Sequence, residues 1–171
     1  MPGIVGIISR KPSDECQRFV KFMVASMGHE QFYTSGTYAA PELGIHAGWV
    51  AHEDSFAAGH YLRNYKGKCE NPHGHNYRVR VTLHGRELDR AGLLLDFKDL
   101  KEAIKPTVDR LDHQMINELA PFTELNPSAE NLARYFYDEI NARLQRSTVG
   151  RVSVKDVTIW ETETTTATYY E

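Results

Sequence analysis

The chain has 171 residues, with 20 Lys plus Arg against 23 Asp plus Glu and 8 His, a formal net charge of −3, and 41% hydrophobic and 25% charged residues; this is the balance of a soluble globular domain, long enough to bury a real core. It builds no strong basic field for a nucleic-acid backbone, and no apolar run approaches the roughly 20 residues of a membrane span, so neither nucleic acid nor membrane is expected as a partner. Two cysteines, Cys16 and Cys69, exclude a disulfide scaffold and fit a reducing, cytoplasmic compartment, and the start, Met1 to Arg10, lacks the basic region of a secretory signal.

Residues 1–55 read as a first, smaller piece. Ile4 to Ile8 is a short β-type run. From Asp14 to Met27 the apolar residues Cys16, Phe19, Val20, Met23, Val24 and Met27 recur at spacings of 3 and 4, which predicts a helix with Ser13 or Asp14 as cap and Gly28 as terminator. A Gly/Tyr/Thr-rich passage follows through Ser35-Gly36-Thr37-Tyr38, punctuated by Pro41 and Gly44. Residues 45–55, with Gly48, Glu53 and Asp54, make a weak strand.

From Phe56 the pattern is cleaner. His75 to His84 alternates, with His75, Tyr77, Val79, Val81 and Leu83 on one face, which predicts a half-buried strand closed by Gly85. Asp89-Arg90-Ala91-Gly92 reads as a turn into a second strand, Leu93-Leu94-Leu95. Asp96 sits at a helix N-cap before Phe97, Leu100, Ile104, Val108 and Leu111, with Pro106 expected to kink or divide the helix. Asn126-Pro127-Ser128-Ala129-Glu130 starts another helix, with Pro in its first turn and a stripe of Leu132, Phe136, Ile140 and Leu144. Two strands close the chain, Val152 to Glu161 and Thr164 to Tyr170, and a change of inward parity between Val154 and Val157 predicts a bulge near Lys155-Asp156. Helices grouped between antiparallel strands give an α+β class with the helices on one face of the sheet.

Chemistry concentrates in Cys69-Glu70-Asn71-Pro72-His73-Gly74-His75, with His60 upstream. Residues two apart in an extended chain share a face, so His73 and His75 set two imidazoles side by side, and Gly74 lets the backbone approach closely. His60 supplies a third; three neutral imidazoles with an open fourth position are the donor set of a catalytic zinc site. The plainer alternative makes His-Gly-His a polar strand start and His60 a satisfied core histidine. Cys69 is either a fourth ligand, which would close the site, or a nucleophile or base beside the metal, its thiol pKa lowered by positive charge from the metal, Lys66 and Lys68.

Six stretches, in order and spacing, resemble one family: Phe56-Ala57-Ala58-Gly59-His60-Tyr61-Leu62, Cys69-x-x-x-His73-Gly74-His75-Asn76, Leu95-Asp96-Phe97-x-x-Leu100-Lys101, Leu111-Asp112-His113, Asn126 to Ala133, and Val157-Thr158-Ile159-Trp160-Glu161-Thr162. Residues 56–171 resemble the 6-pyruvoyltetrahydropterin synthase / 6-carboxytetrahydropterin synthase family, with the Cys-to-His spacing of its bacterial 6-carboxytetrahydropterin synthase branch. The resemblance implies a tunnelling-fold (T-fold) subunit, an antiparallel four-stranded sheet with two helices on one face, assembling as a homo-hexamer with sites at the interfaces. It implies Zn2+ held by His60, His73 and His75, Cys69 as catalytic base, Asp112 and His113 as acid/base partners, and Glu161 anchoring the guanidine-like edge of a pterin. The implied reaction converts 7,8-dihydroneopterin triphosphate to 6-carboxy-5,6,7,8-tetrahydropterin, acetaldehyde and triphosphate, in queuosine (7-deazapurine) biosynthesis. Plainer readings make Glu161 a solvated strand-end acid and Asp112-His113 a helix terminus. Arg63, Lys66 and Lys68 are either a solvated basic loop or contacts for the triphosphate.

Glu70 offers an alternative, since a related group uses a Glu in this loop to form 6-hydroxymethyl-7,8-dihydropterin for folate synthesis. A further alternative is a non-catalytic zinc or pterin-binding module. Gly59 replaces the usual Ala before the first histidine, which loosens the backbone there. Residues 1–55 resemble instead the start of an asparagine-synthetase-type glutamine amidotransferase domain. Pro2 stands where the catalytic Cys of such domains would be, so this extension is expected to be a non-catalytic remnant.

Overall fold

The computed structural model describes residues 4–8, 13–27, 33–40, 45–85, 90 and 93–171. Its elements, in chain order, are β1 (Ile4–Ile8), α1 (Ser13–Met27), β2 (Tyr33–Ala40), β3 (Ile45–His60), β4 (His73–Gly85), α2 (Phe97–Leu111), α3 (Ala129–Ser147), β5 (Val152–Trp160) and β6 (Thr166–Tyr170). Strands β3 to β6 pair antiparallel in sequence order, and β1 and β2 both pair with the first part of β3.

Alternation along β4 sets the faces of this sheet. Tyr77, Val79 and Val81 are buried while Asn76 and Arg78 are exposed, the pattern of a sheet covered on one side. The covering layer is α2 and α3. Leu100, Ile104, Val108 and Leu111 from α2 and Leu132, Phe136, Ile140 and Leu144 from α3 join Phe56, Tyr77, Val79, Val154, Val157 and Ile159 in one core. The Asp96 carboxylate caps α2 by accepting from the Lys98 N–H, and the Ser128 hydroxyl caps α3 by accepting from Asn131. The predicted bulge is present: pairing between β4 and β5 slips between Thr82 and Leu83, whose partners are Asp156 and Val154, leaving Lys155 as the extra residue.

Several expectations are corrected. Leu93–Leu95 forms no strand: Leu95 is buried in the core, and the Leu94 carbonyl accepts from the Arg151 guanidinium at 2.6 Å instead of from a strand partner. Helix α2 is not divided at Pro106; the proline lies on the exposed face, where water can satisfy the carbonyl it leaves unpaired. Pro127 stands before the Ser128 cap and not in the first turn of α3. The Gly/Tyr/Thr-rich Ser35–Tyr38 passage, to which the sequence assigns no element, is part of β2 because each of its residues has a partner on β3. Residues 45–55, read as a weak strand, belong to a single 16-residue β3 that crosses the boundary placed at residue 55. Ser13 and Asp14 lie inside α1. Gly28, Pro41, Gly44, Asp89, Ala91 and Gly92 lie outside the described residues. Helix α1 packs against β1, β2 and β3, and Cys16 is buried in it at 2% exposure.

Candidate metal centre and active site

The three histidines meet because β3 ends where β4 begins. The antiparallel register places His60 opposite His73 and Ala58 opposite His75. Tyr77, two residues past His75, faces the core, so the same parity turns His73 and His75 toward the helices. Ring centroids lie 4.5 Å (His60–His73), 5.3 Å (His60–His75) and 5.0 Å (His73–His75) apart. One ligand nitrogen from each falls within 4.8 Å of the others.

Hydrogen bonds fix which nitrogens face inward. His60 Nδ1 lies 2.8 Å from the Pro127 carbonyl and His73 Nδ1 lies 2.8 Å from the Asn71 carbonyl. A carbonyl only accepts, so each Nδ1 carries its proton and each Nε2 presents a lone pair, the arrangement usual for metal-binding imidazoles. Burial lowers the His60 pKa, against the raising effects of the Pro127 carbonyl and the Glu161 carboxylate. Among the described residues, His60 Nε2 and His75 Nε2 are buried without a hydrogen-bond partner. A divalent cation satisfies both atoms, and three neutral imidazoles with room for a further ligand suit Zn2+.

Glu161 completes this cluster. Its Oε1 stands 3.3 Å from His60 Nε2, out of line for a hydrogen bond, and 3.8 Å from His75 Nε2. Trp160 turns to the outer face, where the Arg78 and Arg80 guanidiniums lie 4.3 and 5.0 Å from its ring, so the next residue faces inward. A threonine turn then holds Glu161: its N–H donates to the Thr165 carbonyl at 3.0 Å, and Thr162 Oγ1 accepts from the N–H groups of Thr164 and Thr165. Tyr77 lies below, its ring edge-on to His60 and His75 with centroids 5.8 and 5.5 Å away. Burial and the Glu161 charge raise its phenol pKa well above the ordinary value, so the hydroxyl keeps its proton.

Cys69 sits on a short turn, Lys68–Glu70, half-buried and unpaired in a disulfide. The loop carrying it is pinned by two side-chain amides that stand in for strand partners. Asn117 accepts from the Tyr61 N–H and donates to the Tyr61 carbonyl, both at 2.9 Å. Asn126 does the same for Arg63 at 2.8 and 3.0 Å. Arg63 donates to the carbonyls of Leu125 and Asn117 and lies over the Tyr61 ring, so its guanidinium is bound into the loop. Lys66 and Lys68 are exposed.

Asp112 and His113 contact each other, with His113 Nδ1 2.9 Å from Asp112 Oδ2. They follow α2 and dock on the edge of β3: the Ala57 N–H donates to Asp112 Oδ1, the His113 N–H to the Ala57 carbonyl, and the Gly59 N–H to the Gln114 carbonyl. The Ala57 N–H first, and His113 second, hold the Asp112 carboxyl below its ordinary pKa. Gly59 is thus pinned and not loose, bridging Met115 as well as pairing with Gly74. No hydrogen bond or ion pair joins Cys69 to the Asp112–His113 pair among the described residues. His113, 80% exposed, lies instead on the rim of an open cleft of about 500 Å³ lined by Gly59, Gly74 and Met115.

Of the seven residues singled out in the sequence, His60, His73, His75 and Glu161 come together and Asp112 pairs with His113, while Asn117, Asn126 and Tyr77 enter the surroundings without having been singled out for the site. In the sequence Asn126 belongs to a helix start and Tyr77 to the inward face of a strand, and nothing marks Asn117.

Comparison with known proteins identifies the family. The model of the 6-pyruvoyl tetrahydropterin synthase family matches residues 50–171. A 6-carboxy-5,6,7,8-tetrahydropterin synthase of Aquifex aeolicus is 33% identical over 61% of this chain and 76% of its own length. A human 6-pyruvoyl tetrahydrobiopterin synthase is 36% identical over 61% and 82%. The structure of Caenorhabditis elegans 6-pyruvoyl tetrahydropterin synthase superposes with a TM-score of 0.61 at 27% identity, covering 81% of this chain and 96% of that one. With a match over most of its length and a shared fold, the chain belongs to the 6-pyruvoyl tetrahydropterin synthase family.

Proposed function

We propose that the protein is a zinc-dependent 6-carboxy-5,6,7,8-tetrahydropterin synthase acting on 7,8-dihydroneopterin triphosphate. The observation that carries this reading is the convergence of His60, His73 and His75, each with a ligand nitrogen within 4.8 Å of the others, beside a carboxylate shaped to hold a pterin edge. The likeness to relatives named for the 6-carboxy product supports the choice of reaction. Zn2+ held by the three Nε2 atoms would supply Lewis acidity to the substrate's side-chain oxygens.

The chain's own residues do the rest. Glu161, a carboxylate at the inner end of β5, accepts two parallel N–H bonds from the pterin and so points the side chain of the substrate at the imidazole cluster. Cys69 takes a proton from that side chain as general base. His113, oriented by Asp112 through its Nδ1, returns one. The 80% exposure of His113 supports an assembly, in this reading a homo-hexamer, in which a neighbouring protomer covers that side chain. Cys16, buried in α1, is no nucleophile, and the N-terminal extension is non-catalytic in this reading.

Incubation of the purified chain with 7,8-dihydroneopterin triphosphate, followed by separation of the pterins, tests the proposal. The 6-carboxy product is expected, with turnover lost in Cys69→Ala while about one zinc per chain is retained. Zinc lost from Cys69→Ala would make the cysteine a structural ligand and overturn the mechanism. A 6-hydroxymethyl product abolished by Glu70→Ala would favour the folate-type reaction instead.

A further inference from the structure

Three buried side-chain atoms lack a hydrogen-bond partner among the described residues: His60 Nε2, His75 Nε2 and the hydroxyl of Tyr77. All three belong to one cluster. The two nitrogens are acceptors, and a cation accounts for them. It does not account for the hydroxyl. Tyr77 is 0% exposed, stacks on Phe56 at 4.9 Å between ring centroids, and stands edge-on to both imidazoles that Glu161 approaches. Phenylalanine would fill the same space without burying an unpaired polar group, which ordinarily destabilises a core.

The register brings a carboxylate to the same face. Arg78 on β4 pairs with Trp160, the last residue of β5, so one step further places Tyr77 and Glu161, the residue after β5, toward the same inner face. Glu161 Oε1 lies 3.3 Å from His60 Nε2. Once a cation takes the imidazole nitrogens and a ligand edge takes part of the carboxylate, the remaining carboxylate lone pairs need a donor. Tyr77 is the one buried donor of the cluster whose proton is unspent among the described residues.

We infer that Tyr77 is a positioning residue for ligand binding: its hydroxyl donates to the Glu161 carboxylate in the occupied site and fixes the orientation in which that carboxylate receives a planar amidine- or guanidine-bearing ring. This deepens the pterin reading above and rests on it. The residue touches neither the metal nor the reacting atoms and acts through Glu161. Stability is given up in the empty protein for orientation in the loaded one.

The test is Tyr77→Phe in the full chain, with neopterin as a non-reacting probe followed by its fluorescence and 7,8-dihydroneopterin triphosphate as substrate. A hydrogen bond to a charged group corresponds to a loss of about 10- to 100-fold in affinity. Neopterin binding and KM should weaken by that factor in the zinc-loaded protein, with kcat changed far less. Zinc content should be unchanged, and the Tm of the metal-free chain should hold or rise. In a Glu161→Gln background, Tyr77→Phe should cost little more, because the two act as a unit. Neopterin affinity equal to wild type, additive losses with Glu161→Gln, or zinc lost together with affinity would each overturn the inference. If the zinc-loaded wild-type chain binds no neopterin, the pterin reading falls and takes this inference with it; if it binds and Tyr77→Phe binds equally, only the inference falls.

Discussion

The two halves of the site are built in opposite ways. The imidazole cluster stands on paired strands: His60 and His73 are register partners, and Glu161 follows the last residue of β5. Backbone carbonyls behind the His60 and His73 rings orient them. The groups to which the proposed function assigns proton transfer stand on connections: Cys69 on a short turn, Asp112 and His113 on the turn after α2, more exposed and held by amide side chains and a sheet edge. Strand pairing fixes nitrogen positions to the tolerance a metal demands. Turns leave sulfur and imidazole more open to solvent, as the proposed chemistry requires.

Removing a strand-borne ligand breaks that contrast most severely. His73→Ala is expected to weaken zinc binding by more than the roughly 10- to 100-fold that loss of a supporting partner costs, while the core below keeps the fold; zinc stoichiometry and circular dichroism read both. Next comes the loop clamp. Asn117→Ala leaves the N–H and carbonyl of Tyr61 unpaired, at a cost of about 2–3 kcal/mol, and thermal denaturation should show Tm lower by roughly 4–10 °C. Cys69 should then alkylate faster, and an unchanged alkylation rate would show that the clamp does not govern the cysteine.

Acidity separates the halves more gently. Folding lowers the Asp112 pKa from its ordinary 3.8, so the carboxylate form is favoured by the folded state. Its contribution is fully present above that ordinary value and is lost as pH falls through the lowered one. Protection of the Ala57 N–H, followed by hydrogen exchange and corrected for the intrinsic pH dependence of exchange, should therefore be constant from neutral pH to about pH 5 and fall only in stronger acid. Smallest is Gly59→Ala. A Cβ there meets the flexible end of Met115 at 3.1 Å, so a shift of a few tenths of an ångström makes room. Loss of unfolded-chain freedom should then stabilise the protein by about 0.5 kcal/mol, measurable by urea denaturation.

What the sequence disclosed follows the same division. Period-two alternation in β4, the cap at Asp96, the α3 stripe and the bulge near Lys155-Asp156 are local signals, and the structure has each of them. The histidine cluster was legible because a strand projects alternate residues together. Leu93–Leu95 misled because a short apolar run packs equally well as a covering loop, and only the distant Arg151 reveals which. Asn117 and Tyr61 lie 56 positions apart, and no periodicity announces an amide that substitutes for a strand. Alternation placed Tyr77 inward but said nothing of its hydroxyl, which no periodicity describes.

Strand β3 carries one more consequence. His52 is opposite Tyr33 of β2 and Val81 of β4 at once, so both ladders are threaded on a single peptide ruler that ends at His60. Inserting or deleting one residue between His52 and Phe56 would reverse the facing of every position beyond it, swinging the first imidazole of the cluster to the back of the sheet unless one ladder slipped. Whatever sequence precedes this strand is therefore joined to the rest of the sheet in even steps only.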